Sequence, residues 1–148
     1  MPQLSMHSPI GDLTVSEEDG AIVALDWGWG RDQATTPLLQ RTRDQLNAYF
    51  DGDPADFDLP LNPEGSAFQR RVWKAMCDIP AGGTETYGSL ADRIDGIARA
   101  VGTACGRNPI PIIIPCHRVV AASGLGGYSG DGGLDTKVAL LRLEGALL

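Results

Sequence analysis

The chain has 148 residues, 43% of them hydrophobic, and carries 12 Lys and Arg against 19 Asp and Glu, a formal net charge of −7. That length and apolar content can bury a sizeable core and exclude a disordered chain. Its apolar runs are broken by Pro or charge far short of the roughly 20 residues that span a bilayer, and Met1-Pro2-Gln3-Leu4-Ser5-Met6-His7 lacks the basic and apolar regions of a secretory leader, so no membrane association and a cytoplasmic location are expected.

Short strands are predicted at Leu4 to His7, Leu13 to Val15 and Ile22 to Trp27, separated by the turn compositions Pro9-Ile10-Gly11-Asp12 and Glu18-Asp19-Gly20. They form a small meander. Thr36-Pro37 then supplies an N-cap and a first-turn Pro, and Leu39, Leu46, Tyr49 and Phe50 recur at helical spacing up to Gly52. One helix should pack on that sheet. The stretch from Asp51 to Gly65 is rich in Pro, Asp and Gly and reads as a linker, dividing the chain into an α/β lobe at 1–60 and a mostly helical lobe at 61–148.

In the second lobe, Ser66-Ala67-Phe68-Gln69 fits a capping box, and Phe68, Val72, Met76 and Ile79 give the apolar stripe of a helix stopped by Pro80. Arg70, Arg71 and Lys74 would then point outward. Two shorter helices follow, Tyr87 to Ile94 and Ile97 to Gly106, joined by a tight turn at Asp95-Gly96. This is the layout of a helix-turn-helix, and the second helix is rich in small residues, with Ala98, Ala100, Gly102, Thr103 and Ala104. Helix pairs are also ordinary core packing, so this pattern by itself leaves both readings open. Between residues 70 and 118 the bases outnumber the acids by three, against the sign of the whole chain, which provides a modest basic face.

Asn108-Pro109-Ile110-Pro111-Ile112-Ile113-Ile114-Pro115-Cys116-His117-Arg118 follows, and its three prolines rule out a regular central strand. It reads as a rigid extended segment presenting Cys116. A Gly-rich loop from Ser123 to Gly133 and a final helix from Asp135 to Ala146, with Val138, Leu140 and Leu141 inward, complete an α+β chain.

The odd count of three cysteines, Cys77, Cys105 and Cys116, has no CxxC pair and argues against a disulfide framework. With only His7 and His117 added, no metal-ligand spacing arises, so no metal is expected. Cys77 and Cys105 lie in helices without a neighbouring His and read as inert. Cys116 is different, because a thiol is a poor nucleophile until a base takes its proton and His117 is adjacent. Neighbours in an extended chain point to opposite sides, so His117 reaches the sulfur only through a sharp turn or through one water. Glu144 on the last helix can orient the imidazole.

Pro115-Cys116-His117-Arg118-Val119 resembles the active-site motif of the O6-alkylguanine-DNA alkyltransferases. Phe68-Gln69 with Val72-Trp73, Ile79-Pro80, Thr86-Tyr87-Gly88, Arg99-Ala100-Val101-Gly102, Asn108-Pro109, Gly127-Tyr128-Ser129-Gly130, Leu140-Leu141 and Glu144-Gly145 extend the likeness over residues 62 to 148. Over residues 1 to 60 it rests on Ser8-Pro9-Ile10-Gly11 and the layout. The resemblance implies direct-reversal DNA repair, in which an alkyl group passes once and irreversibly from O6-alkylguanine, with O4-alkylthymine as a further candidate, to Cys116. It implies no cofactor, and a winged-helix-like second lobe on double-stranded DNA. His117 would act through a water, Glu144 would hold the imidazole and Asn108 would brace the segment. Tyr87 would donate to the departing base and push the adjacent phosphate, and Arg99 would fill the gap left by a flipped nucleotide. The helix bearing Ala100, Gly102 and Thr103 would enter the minor groove with little sequence preference. Val119, through its carbonyl, and Tyr128 and Ser129 would read the guanine edge, with Pro111 lining the alkyl pocket.

Three departures from the family pattern stand out. The Tyr87 to Arg99 spacing is shorter by about two residues, the loop after Ser129 is longer by a similar amount, and the ligands of the first-lobe zinc found in some relatives are absent. The negative charge predicts weaker, more salt-sensitive DNA binding than in basic relatives. The alternatives are an alkyltransferase-like protein that flags damage without repairing it, a cysteine hydrolase using the same Cys-His-Glu set, and a transcription regulator resting on the helix pair. Flagging relatives replace the acceptor cysteine, and Cys116 is present. A monomer is expected, since no exposed apolar stripe suggests a partner.

Overall fold

In the computed structural model, residues 1–53, 57–128 and 132–147 are described, and the chain divides into two compact units, Met1–Glu64 and Gly65–Leu148. The first unit opens with an antiparallel meander of β1 (Gln3–Met6), β2 (Leu13–Glu18) and β3 (Ala21–Trp27). Asp19 and Gly20 both have positive φ, 51° and 79°, which is the two-residue hairpin turn whose twist matches the strands it joins. Period-two burial puts Leu4 and Met6, and Leu13 and Val15, in the core, and Ile22 and Leu25, three residues apart, both join it because the pairing of β2 with β3 shifts register between Ser16 and Glu17.

Helix α1 (Pro37–Phe50) starts where Thr36 accepts a hydrogen bond from Leu39 N at 3.1 Å and buries Leu39, Leu46 and Tyr49. Fully burying a Leu or Ile removes about 1.5–3 kcal/mol worth of apolar exposure from water, so these contacts hold the unit. The opposite sheet face is polar yet also buried: Ser5 and Thr14 share a hydroxyl bond of 2.8 Å, and Gly30 N and the Gln33 amide cap it. The unit extends past residue 60 because Ile22 N donates to Pro60 O and Asn62 N to Ile22 O.

The second unit is built on α2 (Ala67–Met76), α3 (Tyr87–Arg93), α4 (Ala98–Gly106) and α5 (Gly133–Leu143), with a two-residue parallel pair of β4 (Glu85–Thr86) and β5 (Val119–Val120). The capping box at α2 forms as the spacing predicts, with Ser66 and Gln69 each bonded to the other's backbone. Arg70, Arg71 and Lys74 are exposed, whereas Trp73, omitted from the expected stripe, is buried and donates through Nε1 to Ala104 O at 2.8 Å. Indole packs like a hydrophobe once its one donor is satisfied. Asp95, at φ 61°, makes the turn between α3 and α4, and Gly96 approaches Phe68 so closely that a Cβ would lie 3.1 Å from the ring.

Two expectations are corrected in this unit. The last helix ends at Leu143, making Glu144 its C-cap, because Gly145 at φ 84° turns the chain there. Its inner face carries Thr136 and Lys137 with Leu140 and Leu141, while Val138 is half-buried.

Candidate active site

The Pro-braced segment is folded rather than extended. Ile113 N bonds to Pro111 O at 2.9 Å, Ile114 N to Ile110 O at 2.9 Å and Cys116 N to Ile114 O at 2.8 Å, a chain of tight turns that ends in a 3-10 turn at Cys116–Arg118. Proline supplies no donors to a ladder, so the segment takes others from Asn108. Its Nδ2 donates to Ile114 O at 2.8 Å and its Oδ1 accepts from Ile110 N at 2.9 Å. Ile112 sits at φ 73°. A left-handed conformation costs an L-residue about 1–2 kcal/mol, which complete burial of the Ile112 side chain offsets at about 1.5–3 kcal/mol.

The 3-10 turn swings His117 away from solvent. Its Nε2 lies 2.6 Å from Glu144 Oε2, and both side chains are almost fully buried, at 0% and 1% exposed. With Nε2 taken as donor to that carboxylate, Nδ1 is the free acceptor, and no described group bonds to it. Glu144 is also gripped by Arg118, Nε to Oε1 at 2.8 Å and Nη2 to Oε2 at 3.0 Å, while Arg118 Nη1 reaches Ile79 O at 2.6 Å. The resemblance assigned Glu144 to His117 alone. Arg118 shares it and fixes the carboxylate in place through two charge-assisted hydrogen bonds.

Burial pushes the Cys116 thiol up from its ordinary 9.0, against downward pulls from an Asn108 hydrogen bond and the Lys137 ammonium. Burial likewise pushes His117 down from 6.5, with Glu144 pulling it up. At neutral pH the resting pair is therefore an un-ionised thiol and a neutral imidazole. Lys137, absent from the sequence expectations, is fully buried and donates to Val119 O at 2.7 Å and Gly127 O at 3.0 Å beneath the Tyr87 ring. Only its three-donor head reveals the role, since helical periodicity places position 137 inside and residue type places it outside.

A cavity of about 370 Å³ opens at Cys116. Tyr87 and Tyr128 line it, with Gly127 from the loop and Gly102, Cys105 and Gly106 from α4. Burial raises the Tyr87 phenol, and more strongly the Tyr128 phenol, above the usual tyrosine range, so both are hydrogen-bond donors at neutral pH. The structure thus brings Tyr87, Gly102, Cys116 and Tyr128 to one cavity, with Asn108, His117 and Glu144 behind Cys116. Arg99 and Thr103 are exposed on α4, where Thr103 Oγ1 donates to Arg99 O at 3.1 Å, and Ala100 is half-buried. Pro111 is buried in the turn and Val119 in β5, and neither lines the cavity. Ser129 lies outside the described residues. Cys105, read from sequence as inert packing, is a cavity wall. Among the described residues no group of three or more His, Cys, Asp or Glu could hold a metal ion.

Two family models match the chain: the 6-O-methylguanine DNA methyltransferase ribonuclease-like domain over residues 4–63 and the DNA-binding domain of the same family over residues 67–146. The methylated-DNA–protein-cysteine methyltransferase of Mycobacterium tuberculosis H37Rv is 58% identical over 153 residues, covering 95% of this chain and 90% of that one. That of Methanosarcina mazei is 47% identical over 135 residues, covering 89% and 81%. The crystal structure of M. tuberculosis OGT in complex with DNA superposes with a TM-score of 0.88 over 99% of this chain and 94% of that one, with 44% identity across the superposed residues. An O6-methylguanine DNA methyltransferase from Methanococcus jannaschii superposes at 0.70 over 98% and 95%, with 29% identity.

Proposed function

The chain belongs to the 6-O-methylguanine DNA methyltransferase family, and from that premise we propose how its residues carry out the family's reaction. The protein binds DNA and repairs it by direct reversal, moving an alkyl group from O6-alkylguanine onto a cysteine of its own. Cys116 is the acceptor. The observation that carries this is the buried line from the cavity inward: Cys116 at the wall, His117 with a free Nδ1, and Glu144 on Nε2 at 2.6 Å.

As the substituted base seats, the thiol proton passes through one water to His117 Nδ1, and Glu144 stabilises the imidazolium. The thiolate forms the C–S bond while the C–O6 bond breaks and its electrons return to the guanine, which takes a proton from Tyr87. The tyrosinate is reprotonated from water, and the hydroxide this leaves is neutralised by the proton that His117 took from the thiol, so that His117 and Tyr87 both end neutral. The thioether is stable, so each molecule acts once. A resting thiol held un-ionised by burial suits a single-use nucleophile, because it is shielded from other electrophiles until the base completes the site.

The substituted base reaches a buried thiol only if it leaves the duplex, at a cost of a few kcal/mol. The exposed Arg99 on α4 is placed to enter the vacated stack, and the small residues Ala100 and Gly102 allow close approach of α4 to the minor groove, with Thr103 on its exposed face. Contacts of this kind read little sequence. The Val119 carbonyl, Tyr128 and Ser129 would read the guanine edge, and Pro111, buried in the turn outside the cavity lining, would support the alkyl pocket from behind. Because Lys137 already occupies one direction of the Val119 carbonyl, the base would use its second lone pair. Among the described residues no helix is long and apolar enough to cross a membrane; that the protein is a cytoplasmic monomer is part of the proposal.

Cys116→Ala tests the assignment. It should bind a duplex carrying O6-methylguanine as the wild type does and take up no methyl label, whereas label on the Cys116→Ala protein would overturn the role of Cys116.

A further inference from the structure

Among the described residues of the second unit, Ile97 is the most exposed large apolar side chain, at 67%. A lone exposed isoleucine needs no explanation by itself, so its place in the fold decides what it does. Helices α1, α2 and α3 each follow a Thr or Ser whose hydroxyl accepts a hydrogen bond from the first turn, at Thr36, Ser66 and Thr86, whereas α4 follows Ile97, which caps nothing. Isoleucine is among the poorest residues at that position, and here it gains no burial in return. The free protein thus forgoes a cap and leaves a branched hydrocarbon in water.

The surroundings say what would cover it. Ile97, Ala98 and Arg99 are consecutive and exposed. Gly96, just before them, lies against the Phe68 ring, and the Arg71 guanidinium sits over that ring at 5.4 Å from its centroid. Arg70, Arg71 and Lys74 on α2, with Arg99 on α4 and Arg107 at its end, are exposed, and none is paired with an acid among the described residues. They outnumber Asp92 and Asp95, the exposed acids between these two helices. An apolar tip flanked by unpaired cations is complementary to a duplex, which offers phosphates at the rim of a groove and sugars and base edges inside it.

We propose that Ile97 is a wedge that enters the minor groove beside Arg99, packs on the base step next to the extruded nucleotide and holds that step open. The inference rests on the reading of α4 as the element that enters the groove. Isoleucine belongs to the small set of side chains that proteins insert in this way, partly unstacking a step, and its hydrocarbon is favoured there because it leaves water for apolar surface. Arg99 fills the vacated stack, Ile97 stabilises the edge of the gap, and the short Ala98 between them keeps the helix from being held off. Extrusion then depends on two residues with different chemistry.

The test is the single-turnover rate of methyl transfer from a duplex carrying O6-methylguanine, at saturating DNA and on the full chain. Ile97→Ser supplies the missing cap, so its melting temperature should equal or exceed that of the wild type, yet its transfer rate should fall at least fivefold. Ile97→Met, which keeps an apolar wedge, should transfer within twofold of the wild type. A fall of less than fivefold in Ile97→Ser, or an Ile97→Met protein outside its twofold range, overturns the proposal. A lowered melting temperature in Ile97→Ser also overturns it, by showing that the side chain serves the fold. Arg99→Ala separates this outcome from a failure of the underlying reading: if it too transfers at the wild-type rate, α4 is not the element that meets the lesion.

Discussion

At the residue scale the account turns on two buried groups whose pKa values shift in opposite senses. His117 is held below 6.5 and Cys116 above 9.0, both chiefly by burial, so the reactive pair is neutral across the interval between them. The transfer rate is therefore expected to be level from pH 6.5 to 9.0 and to fall only in more acid solution, when Nδ1 takes a proton before the thiol can supply one. Single-turnover rates from pH 5 to 9 check this, and an acid limb centred above 6.5 would contradict it. Stability follows the same sign. A histidine whose folded pKa is depressed contributes stability that is present above its unfolded pKa and lost as pH falls through the folded one. The residues proposed to react, Cys116 and His117, were singled out in Pro115-Cys116-His117-Arg118-Val119. The part played by Arg118 was not, because its partner Glu144 lies 26 residues away and already had a use.

At the scale of elements, the site depends on short pieces that have no periodicity. Asn108 and the tight turns from Ile110 to Cys116 were misread as extended because proline excludes a strand without saying which turn replaces it. The parallel pair of β4 and β5 was absent from the expectations for a similar reason: two residues carry no alternation to read. The longer elements were plain. The meander, α1 and α2 announce themselves through Asp19-Gly20, Thr36-Pro37 and the Ser66–Gln69 box. Lys137 joins β5 to the loop before Tyr128 by bonding Val119 O and Gly127 O. Lys137→Met should leave both carbonyls short of a donor, at about 1–3 kcal/mol for each such buried group. The melting temperature should fall by several degrees while Cys116 stays in place, and an unchanged melting temperature would show that the ammonium is not a structural tie.

Across the whole molecule, charge is divided between the units. Residues 1–64 carry twelve acids and three bases, and residues 65–148 carry seven acids and nine bases. The unit that bears the site is therefore mildly basic, and the negative balance resides in the other, where it opposes approach to a polyanion through a field that salt screens within about 8 Å at physiological ionic strength. Neutralising the exposed acids Glu18, Asp26 and Asp44 of the first unit to Gln and Asn should tighten binding to undamaged duplex about twofold or more in low salt. The difference should vanish in high salt, and the transfer rate at saturating DNA should not change. A gain that persists at high salt would point to a direct contact instead of a long-range field. The division into two units was visible in the Pro- and Asp-rich stretch after Asp51. Its end at Glu64 depends on backbone bonds from Ile22 to residues 60 and 62, which composition does not encode.

The central claim is a single, irreversible transfer to Cys116. Intact-mass measurement of the wild-type protein, titrated with duplex carrying O6-methylguanine and followed by peptide mapping, tests it most directly. The account predicts a gain of one methyl group per molecule, saturating at one equivalent and mapping to Cys116. A mass that never changes while damaged DNA is bound tightly, or a methyl group found on Cys77 or Cys105, would contradict it.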